Sequence, residues 1–367
     1  MKLRYRIMRG ILVFLAVAIS ALAIAISYTS DCGPAPVIAD GSVRMKAISY
    51  RCYGSPDVLE YADIEKPTPA DDEVLVKVHA AGVNPLDVAF MRGEPYLLRL
   101  GAGLGAPDYT RLGVDFAGTV EAVGKNVTRF EPGDEVYGRG DGAFAEYVNV
   151  HEDRGIVLKP ANMTFEQAAS VPVAGITALQ VLRDLGKVQP GQKILINGAS
   201  GGVGTFAVQI AKSYGAEVTG VCSARNEEMV RSIGADHVID YKKENYTESG
   251  KQYDLIVDNV GNHSLIANRK ALTPDGMFVI VGGKKSKWLE FFMRPIMGVI
   301  MSAVVDQQFV MILANITRDD LIFLAKLMQD GKVTPVIDRS YQLSEVPDAI
   351  AYSAKGHARG KIVINME

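Results

Sequence analysis

The pattern of apolar and polar positions divides the chain into stretches that predict different structures. Residues 11–26 are apolar at every position except Ser20, and they come after Lys2, Arg4, Arg6 and Arg9. With the flanks Gly10, Ser27 and Tyr28 the run approaches the ~20 helical residues that cross a hydrocarbon core. It predicts a single N-terminal helix over residues 10–28, either a membrane anchor or a signal peptide. A secretory core is commonly ~7–15 residues with a small-residue cleavage site behind it. Here the Ala-x-Ala patterns lie inside the apolar stretch, which favours an uncleaved, single-pass anchor. The side that receives the rest of the chain stays open, because the positive-inside rule retains residues 1–9 and sends the chain beyond Tyr28 across the bilayer.

Residues 29–42 form a short linker containing proline and glycine. Residues 43–164 carry strand-like pieces, among them 73–79 and 118–123. Turn signals at Pro67, Pro69, Gly124 and residues 131–134 separate them, as in a compact, mostly β domain. A helix-rich hinge over 165–186 leads into residues 192–223, QKILINGASGGVGTFAVQIAKSYGAEVTGVCS. That segment reads as an apolar strand, a glycine-dense turn, a helix and a second apolar strand. Further strands at 237–241, 253–260 and 277–282 alternate with helical patterns. This predicts an α/β fold with a doubly wound parallel sheet over 165–310. Residues 311–367 turn β-like again around a helix at 346–353, and are predicted to return to the first domain. The segment 288–305 is too charged for a good membrane span, with Glu290, Arg294 and Pro295 inside it. It reads either as a buried helix pair beside the cofactor sheet or as an apolar lid over a lipophilic substrate, which an Asp at Phe291 or Phe292 would test.

The glycine turn holds the most specific chemistry. Ala199, Gly201 and Gly204 occupy the three positions of a G-x-G-x-x-G fingerprint. The glycines permit the bend, let backbone approach a pyrophosphate and let the helix pack on the strand. The next helix directs unpaired N–H groups at the phosphates. The second strand ends on Ser223 and Arg225, where an NAD site usually has an acidic residue. A carboxylate would repel a 2′-phosphate, whereas a hydroxyl and a guanidinium donate to it, so NADPH is the expected cofactor. Arg225 as a solvated surface charge is the alternative.

Composition narrows the remaining classes. A net charge of −3, with no basic tract, gives no case for nucleic acid. The cysteines Cys32, Cys52 and Cys222 are too few and too scattered for a disulfide framework, which suits a reducing compartment. The five histidines, His79, His151, His237, His263 and His357, show no metal-ligand spacing.

Ordered motifs along residues 45–367 resemble the medium-chain dehydrogenase/reductase superfamily, in its zinc-free quinone oxidoreductase, or zeta-crystallin-type, branch. They are GVNPLDV (82–88), LGVDFAGTVEAVG (112–124), PGDEVYG (132–138), VPVAGITA (171–178), GASGGVG (198–204), GADHVIDY (234–241), DNVG (258–261) and HARGKIVIN (357–365). The resemblance implies a GroES-like catalytic domain beside a Rossmann domain, and a homodimer, which is common among relatives. It implies cofactor contacts from Ser200, Gly202 and Val203 at the pyrophosphate, from Ser223 and Tyr241 near the 2′-phosphate, and from Asn259 at the adenosine ribose. Gly282 and Gly283 would flank the nicotinamide, and His357, Ala358 and Arg359 would close over it from the returning tail. Tyr241 as a core aromatic and Arg359 as a surface charge are the alternatives.

Zinc-dependent relatives gather a cysteine, a histidine and often a glutamate; the equivalent places here are Asn84, Val114 and Asp115. Valine cannot ligate a metal and an amide is a poor zinc ligand, so no metal is assigned. The implied reaction is NADPH-dependent hydride transfer to a quinone or α,β-unsaturated carbonyl. Asn84 is the candidate donor to the developing oxyanion, or else a turn residue before Pro85; Asp87 is a helix cap. The competing readings are a membrane-tethered NADPH-binding scaffold with little turnover, and an alcohol dehydrogenase.

Overall fold

The apolar run that begins at Glu73 becomes one strand, Glu73–Val83, and it organises the first lobe. In the computed structural model, which describes residues 2–283, 286–288 and 290–366, this strand is paired along both edges. Asp115–Val123 lies antiparallel on one side. On the other, Tyr147–His151 covers its first half and Lys361–Asn365 its second. The full order is Ile337–Gln342, Lys361–Asn365, Glu73–Val83, Asp115–Val123, Glu135–Arg139, Ile156–Leu158, with Tyr147–His151 attached to the central strand. The alternating residues Val74, Val76 and Val78 bury one face with Phe116, Phe144, Ile362 and Ile364. The last segment of the chain thus lies beside its first long strand.

The second lobe is a six-stranded parallel sheet in the order His237–Asp240, Glu217–Cys222, Lys193–Asn197, Tyr253–Asp258, Leu272–Ile280, Gln308–Met311. Its strands are near-continuous apolar runs because helices cover both faces. The order reverses between Lys193–Asn197 and Tyr253–Asp258, which opens a crevice at their carboxyl ends. One core joins the lobes: Ala80, Ala117 and Tyr137 of the first pack in the same cluster as Ile194, Phe206 and Leu324 of the second. Hydrogen bonds tighten the junction. Tyr137 Oη donates to the Leu321 carbonyl at 2.9 Å, and Gln209 exchanges two bonds with the Thr334 backbone, at 3.0 and 2.7 Å.

Two expectations need correction, and the first follows from how the linker begins: Thr29 forms a bridge to Gly105, and Ser30 N donates to the Gly105 carbonyl at 2.9 Å. That docking carries Cys32 to Cys52, and the two form a disulfide; only Cys222 is free, and it is buried. The segment 288–305 forms one helix, Glu290–Ser302, with Pro295 inside it, not a buried pair. Within it Gly298 is buried and Met301 packs on the sheet, while Met293, Ile296, Met297, Val299 and Ile300 are exposed. The side chains of Phe291 and Phe292, the test positions of the lid reading, lie outside the described residues.

The N-terminal run forms the helix Lys2–Ser27. The expected span over 10–28 includes positions 10–12 and 16, whose side chains also lie outside the described residues. Among the described residues no helix is long and apolar enough to cross a membrane.

Candidate active site

The crevice floor is the turn between Lys193–Asn197 and the helix Gly202–Ser213. Gly198 sits at φ +82°, a conformation only glycine adopts freely, and a Cβ on Gly204 would meet the Gly198 carbonyl at 2.1 Å. The turn therefore closes only with glycine at both places. Gly201 precedes the helix without a side-chain cap, so the first N–H groups, at Gly202 and Val203, face the crevice. Ala199 is buried beneath the turn. Ser200 is held from two sides: its hydroxyl accepts from Asn226 Nδ2 at 2.9 Å, and its carbonyl accepts from Gly360 N at 2.8 Å. The returning tail is thereby fixed against the glycine turn, and Gly201 pairs with Gly360.

The other residues singled out in the sequence gather around this turn. Ser223 ends the strand Glu217–Cys222, and Tyr241 N donates to the Cys222 carbonyl at 3.1 Å, so the two are neighbours. Tyr241 is 46% exposed and is not a core aromatic. Arg225 is exposed, and its guanidinium donates to the His357 carbonyl at 3.0 Å, joining the second rim to the tail. Ala358 packs partly on the first-lobe core. Arg359 is exposed, with its N–H given to Asp338 at 3.0 Å. Asn259 donates to the Asn197 carbonyl, while its Oδ1 is buried without a partner, as is Oδ1 of Asn226. Orphaned acceptors of this kind suit a polar ligand in the crevice. Gly282 lies so close to Asn259 that a Cβ would meet its carbonyl at 2.3 Å, whereas Gly283 faces open space.

Between the lobes lies a buried cluster of polar groups, of which the sequence suggested only parts. Asn84, Asp87, Asp115 and Lys361 are each at most 3% exposed. The Lys361 ammonium donates to Asn84 Oδ1 at 2.6 Å and lies 3.4 Å from Asp115 Oδ2. Asn84 Nδ2 donates to Asp115 at 2.9 Å and to the Gly82 carbonyl at 3.3 Å. The second Asp115 oxygen accepts from Val173 N, at the start of the helix Pro172–Gln180, at 3.2 Å. Asp87 accepts from the backbone N–H of Asn84 at 2.7 Å and of Gly113 at 3.2 Å, so it caps its own helix as expected. The Lys361 stem lies against Gly202, where a Cβ would meet its Cδ at 3.2 Å.

Burial dominates the electrostatics here. It pushes the Asp87 carboxyl up to about 7, helped by the nearby Asp115 charge and opposed by backbone donors and Lys361. Burial raises Asp115 as well, with Lys361 the main opposing influence. Two carboxyls and one ammonium in a dry space leave an excess negative charge, which a proton on Asp87 removes.

This arrangement corrects the role expected of Asn84. Both amide hydrogens have acceptors inside the protein, so none is left for a substrate oxyanion. Nor do the residues fit a zinc ion. Val114 has no donor atom, the Asn84 oxygen faces an ammonium, and Asp115 is paired with that same ammonium. Sequence reasoning missed Lys361 as a site residue because a lysine at the start of KIVIN reads as an exposed strand end. It missed Asn226 for want of a motif, and also the bond from Arg294 to Asp258 at 2.6 Å, which ties the helix Glu290–Ser302 to the DNVG turn.

Comparison with known proteins agrees with this architecture. Residues 70–161 match the alcohol dehydrogenase GroES-like domain, and residues 233–364 match a family described as zinc-binding dehydrogenase. The chain is 36% identical to the chloroplast envelope quinone oxidoreductase homolog of Arabidopsis thaliana, over 87% of this chain and 98% of that one. It is 35% identical to the mitochondrial NAD(P)H oxidoreductase RTN4IP1 of Bos taurus, over 86% of this chain and 87% of that one. The solved quinone oxidoreductase of Coxiella burnetii superposes with a TM-score of 0.79 at 30% identity, covering 89% of this chain and all of that one. With its GroES-like lobe, Rossmann sheet and motif order, the chain belongs to the medium-chain dehydrogenase/reductase superfamily, as an NAD(P)H-dependent oxidoreductase of the quinone oxidoreductase branch.

Proposed function

We propose that the chain uses NADPH to reduce an electron-poor acceptor, a quinone or an α,β-unsaturated carbonyl, without a metal. The observation that carries this reading is the Lys361 ammonium bonded to Asn84 at 2.6 Å, in the place where zinc-dependent relatives collect their ligands. Zinc-dependent relatives that oxidise alcohols use the metal as a Lewis acid to lower the pKa of the hydroxyl. A site without one suits an acceptor that is already electrophilic.

When bound, the dihydronicotinamide supplies the hydride; the chain supplies the hold on it. Gly202 and Val203 offer N–H groups to the pyrophosphate at the helix N-terminus. Asn259 and Asn226 offer their unpartnered oxygens to ribose hydroxyls. Ser223, Tyr241 and Arg225, with no carboxylate among them, favour a 2′-phosphate over a bare hydroxyl. Gly283, open in front, flanks the far end of the cofactor, while the tail at His357, Ala358 and Arg359 lies beside Arg225, at the 2′-phosphate end.

The test is NADPH oxidation by purified full-length protein against a panel of quinones and enones, with alcohols plus NADP+ as the reverse panel. Many turnovers with at least one electron-poor acceptor, unaffected by chelators, are expected. A protein that binds NADPH and turns over none of them is a scaffold, and alcohol oxidation that depends on added zinc would equally overturn the proposal.

A further inference from the structure

The exit of the N-terminal helix is fastened to the site by an arginine with no acidic partner among its hydrogen bonds. Arg99 is 3% exposed. Its guanidinium donates to the carbonyls of Ser27 at 3.3 Å and Tyr28 at 2.7 Å, and to the Thr29 hydroxyl at 3.1 Å. It also donates to the carbonyls of Arg92 at 3.2 Å and Gly93 at 2.9 Å. Those carbonyls end two helices, Lys2–Ser27 and Pro85–Arg92, so two negative dipole ends meet one buried cation. The same guanidinium lies over the rings of Tyr53 and Tyr96, at 4.4 and 4.8 Å.

Tyr96 carries the connection across the cleft. Its N–H donates to the Lys287 carbonyl at 2.8 Å, its ring meets Trp288 edge-on at 4.9 Å, and Lys287 pairs with Glu94 at 3.3 Å. These contacts lie a few residues beyond Gly283, so the foot of the helix and the rim of the cofactor crevice form one connected unit.

The helix above that foot needs an apolar surrounding. Val13, Phe14, Leu15, Val17, Ile19, Leu22 and Ile24 are 48–72% exposed, and among the described side chains of the helix only Ile26 is buried. At about 100° per residue they spread over roughly 240° of the circumference, more than one flat partner surface covers. Four basic residues precede them, matching anionic headgroups. Beside the exit, Leu100, Leu104, Tyr28 and Tyr109 are also 59–68% exposed, and the Tyr28 ring lies against Gly105.

We propose that the N-terminal helix is immersed in lipid and that Arg99 holds the mouth of the cleft against the bilayer surface, with Leu100 and Leu104 in the headgroup region. Lipophilic acceptors then enter from the membrane. The nature of the acceptor rests on the proposed function; the docking does not.

Trp288 is the sole tryptophan, so its fluorescence reports the position of the cleft mouth. Full-length protein is mixed with phosphatidylcholine–phosphatidylglycerol vesicles carrying lipids brominated near the headgroup. Flotation with the vesicles and quenching of Trp288 are expected. The variant L100D/L104D alters two exposed positions outside the catalytic machinery. It should still float, lose the quenching, and lose on the order of tenfold in kcat/KM for a long-chain quinone delivered in vesicles, with no change for a water-soluble quinone. Protein that stays in solution, unquenched Trp288 in the parent, a helix-dependent dimer that ignores vesicles, or an L100D/L104D variant indistinguishable from the parent would each overturn the inference. Absence of turnover with every soluble quinone would count against the proposed function alone, and the quenching would still decide the docking.

Discussion

Replacing Lys361 by methionine tests the electrostatic reasoning most directly. Methionine keeps the apolar stem against Gly202 and removes the ammonium. Two interactions go: the 2.6 Å bond to Asn84 and the 3.4 Å pairing with Asp115. Asp115 retains the Asn84 amide and the Val173 N–H, but at 0% exposure its charge no longer has a counter-ion. Breaking a buried pair from one side costs about 3–5 kcal/mol. That is a large share of the about 5–15 kcal/mol by which folded domains are stable. Losing its main opposing influence raises the Asp115 carboxyl further. A carboxyl raised in the folded state costs stability as pH climbs from its unfolded pKa through its folded one, so the defect should deepen from acid to alkaline conditions. Denaturant unfolding of the cofactor-free protein on either side of neutrality, followed by circular dichroism, gives both quantities. The double variant K361M/D115N removes the orphaned charge, and Asn84, freed from the ammonium, can turn its oxygen towards the new amide. It should recover at least half of the loss. A loss below about 1 kcal/mol in the single variant, or a double variant no better than the single, would refute the account of the cluster.

The same geometry gives three further outcomes. Asp87, raised to about 7 against an ordinary 3.8, should make stability fall as pH rises through that window, because the unfolded chain releases a proton that the folded one keeps; Asp87→Asn should flatten that slope, and an unchanged slope in denaturation measured across it would assign the titration elsewhere. Gly204→Ala, blocked by backbone at 2.1 Å, should abolish NADPH binding and lower the melting temperature, whereas Gly283→Ala, with nothing within 4 Å, should leave melting unchanged and weaken only the cofactor. Equal melting of these two variants would contradict the close approach at the turn. Ser223→Asp combined with Arg225→Ala should raise the Kd for NADPH by about 100-fold with little effect on NADH, and fluorescence titration giving equal changes for both would remove the 2′-phosphate assignment.

The legible parts of the fold are those where neighbouring residues fix the structure. The strand Glu217–Cys222 falls where its apolar run predicts, and the glycine turn is readable because Gly198 and Gly204 satisfy a local steric demand. The helix Glu290–Ser302 is less legible. Its exposed and buried faces are both apolar, so periodicity does not distinguish one half-covered helix from a buried pair. The disulfide is hidden for another reason: Cys32 reaches Cys52 only because Arg99 and Gly105, some seventy residues on, capture the chain at Ser27–Ser30. The buried cluster is likewise non-local, since Lys361 and Asn84 meet through the pairing of the last strand with Glu73–Val83. Its sequence mark is slight: a lysine opening an otherwise apolar strand, just beyond the residues assigned to the cofactor.

A fixed ammonium differs from a metal ion in having no coordination position to offer. The Lys361 charge is directed at Asn84 and Asp115, its stem is packed on the glycine turn, and its strand is anchored by its pairing with Glu73–Val83. Such a group ties the ends of three first-lobe strands together while its stem rests on the glycine turn of the second lobe. Its rigidity serves hydride transfer in another way, because a misplaced nicotinamide loses rate steeply with distance. The same strand that carries Lys361 begins just after Gly360, whose N–H donates to the Ser200 carbonyl, so glycine turn, buried pair and GroES-like lobe share one backbone segment. What the site gains is geometry, and in the proposed reaction the electrophilicity comes with the acceptor.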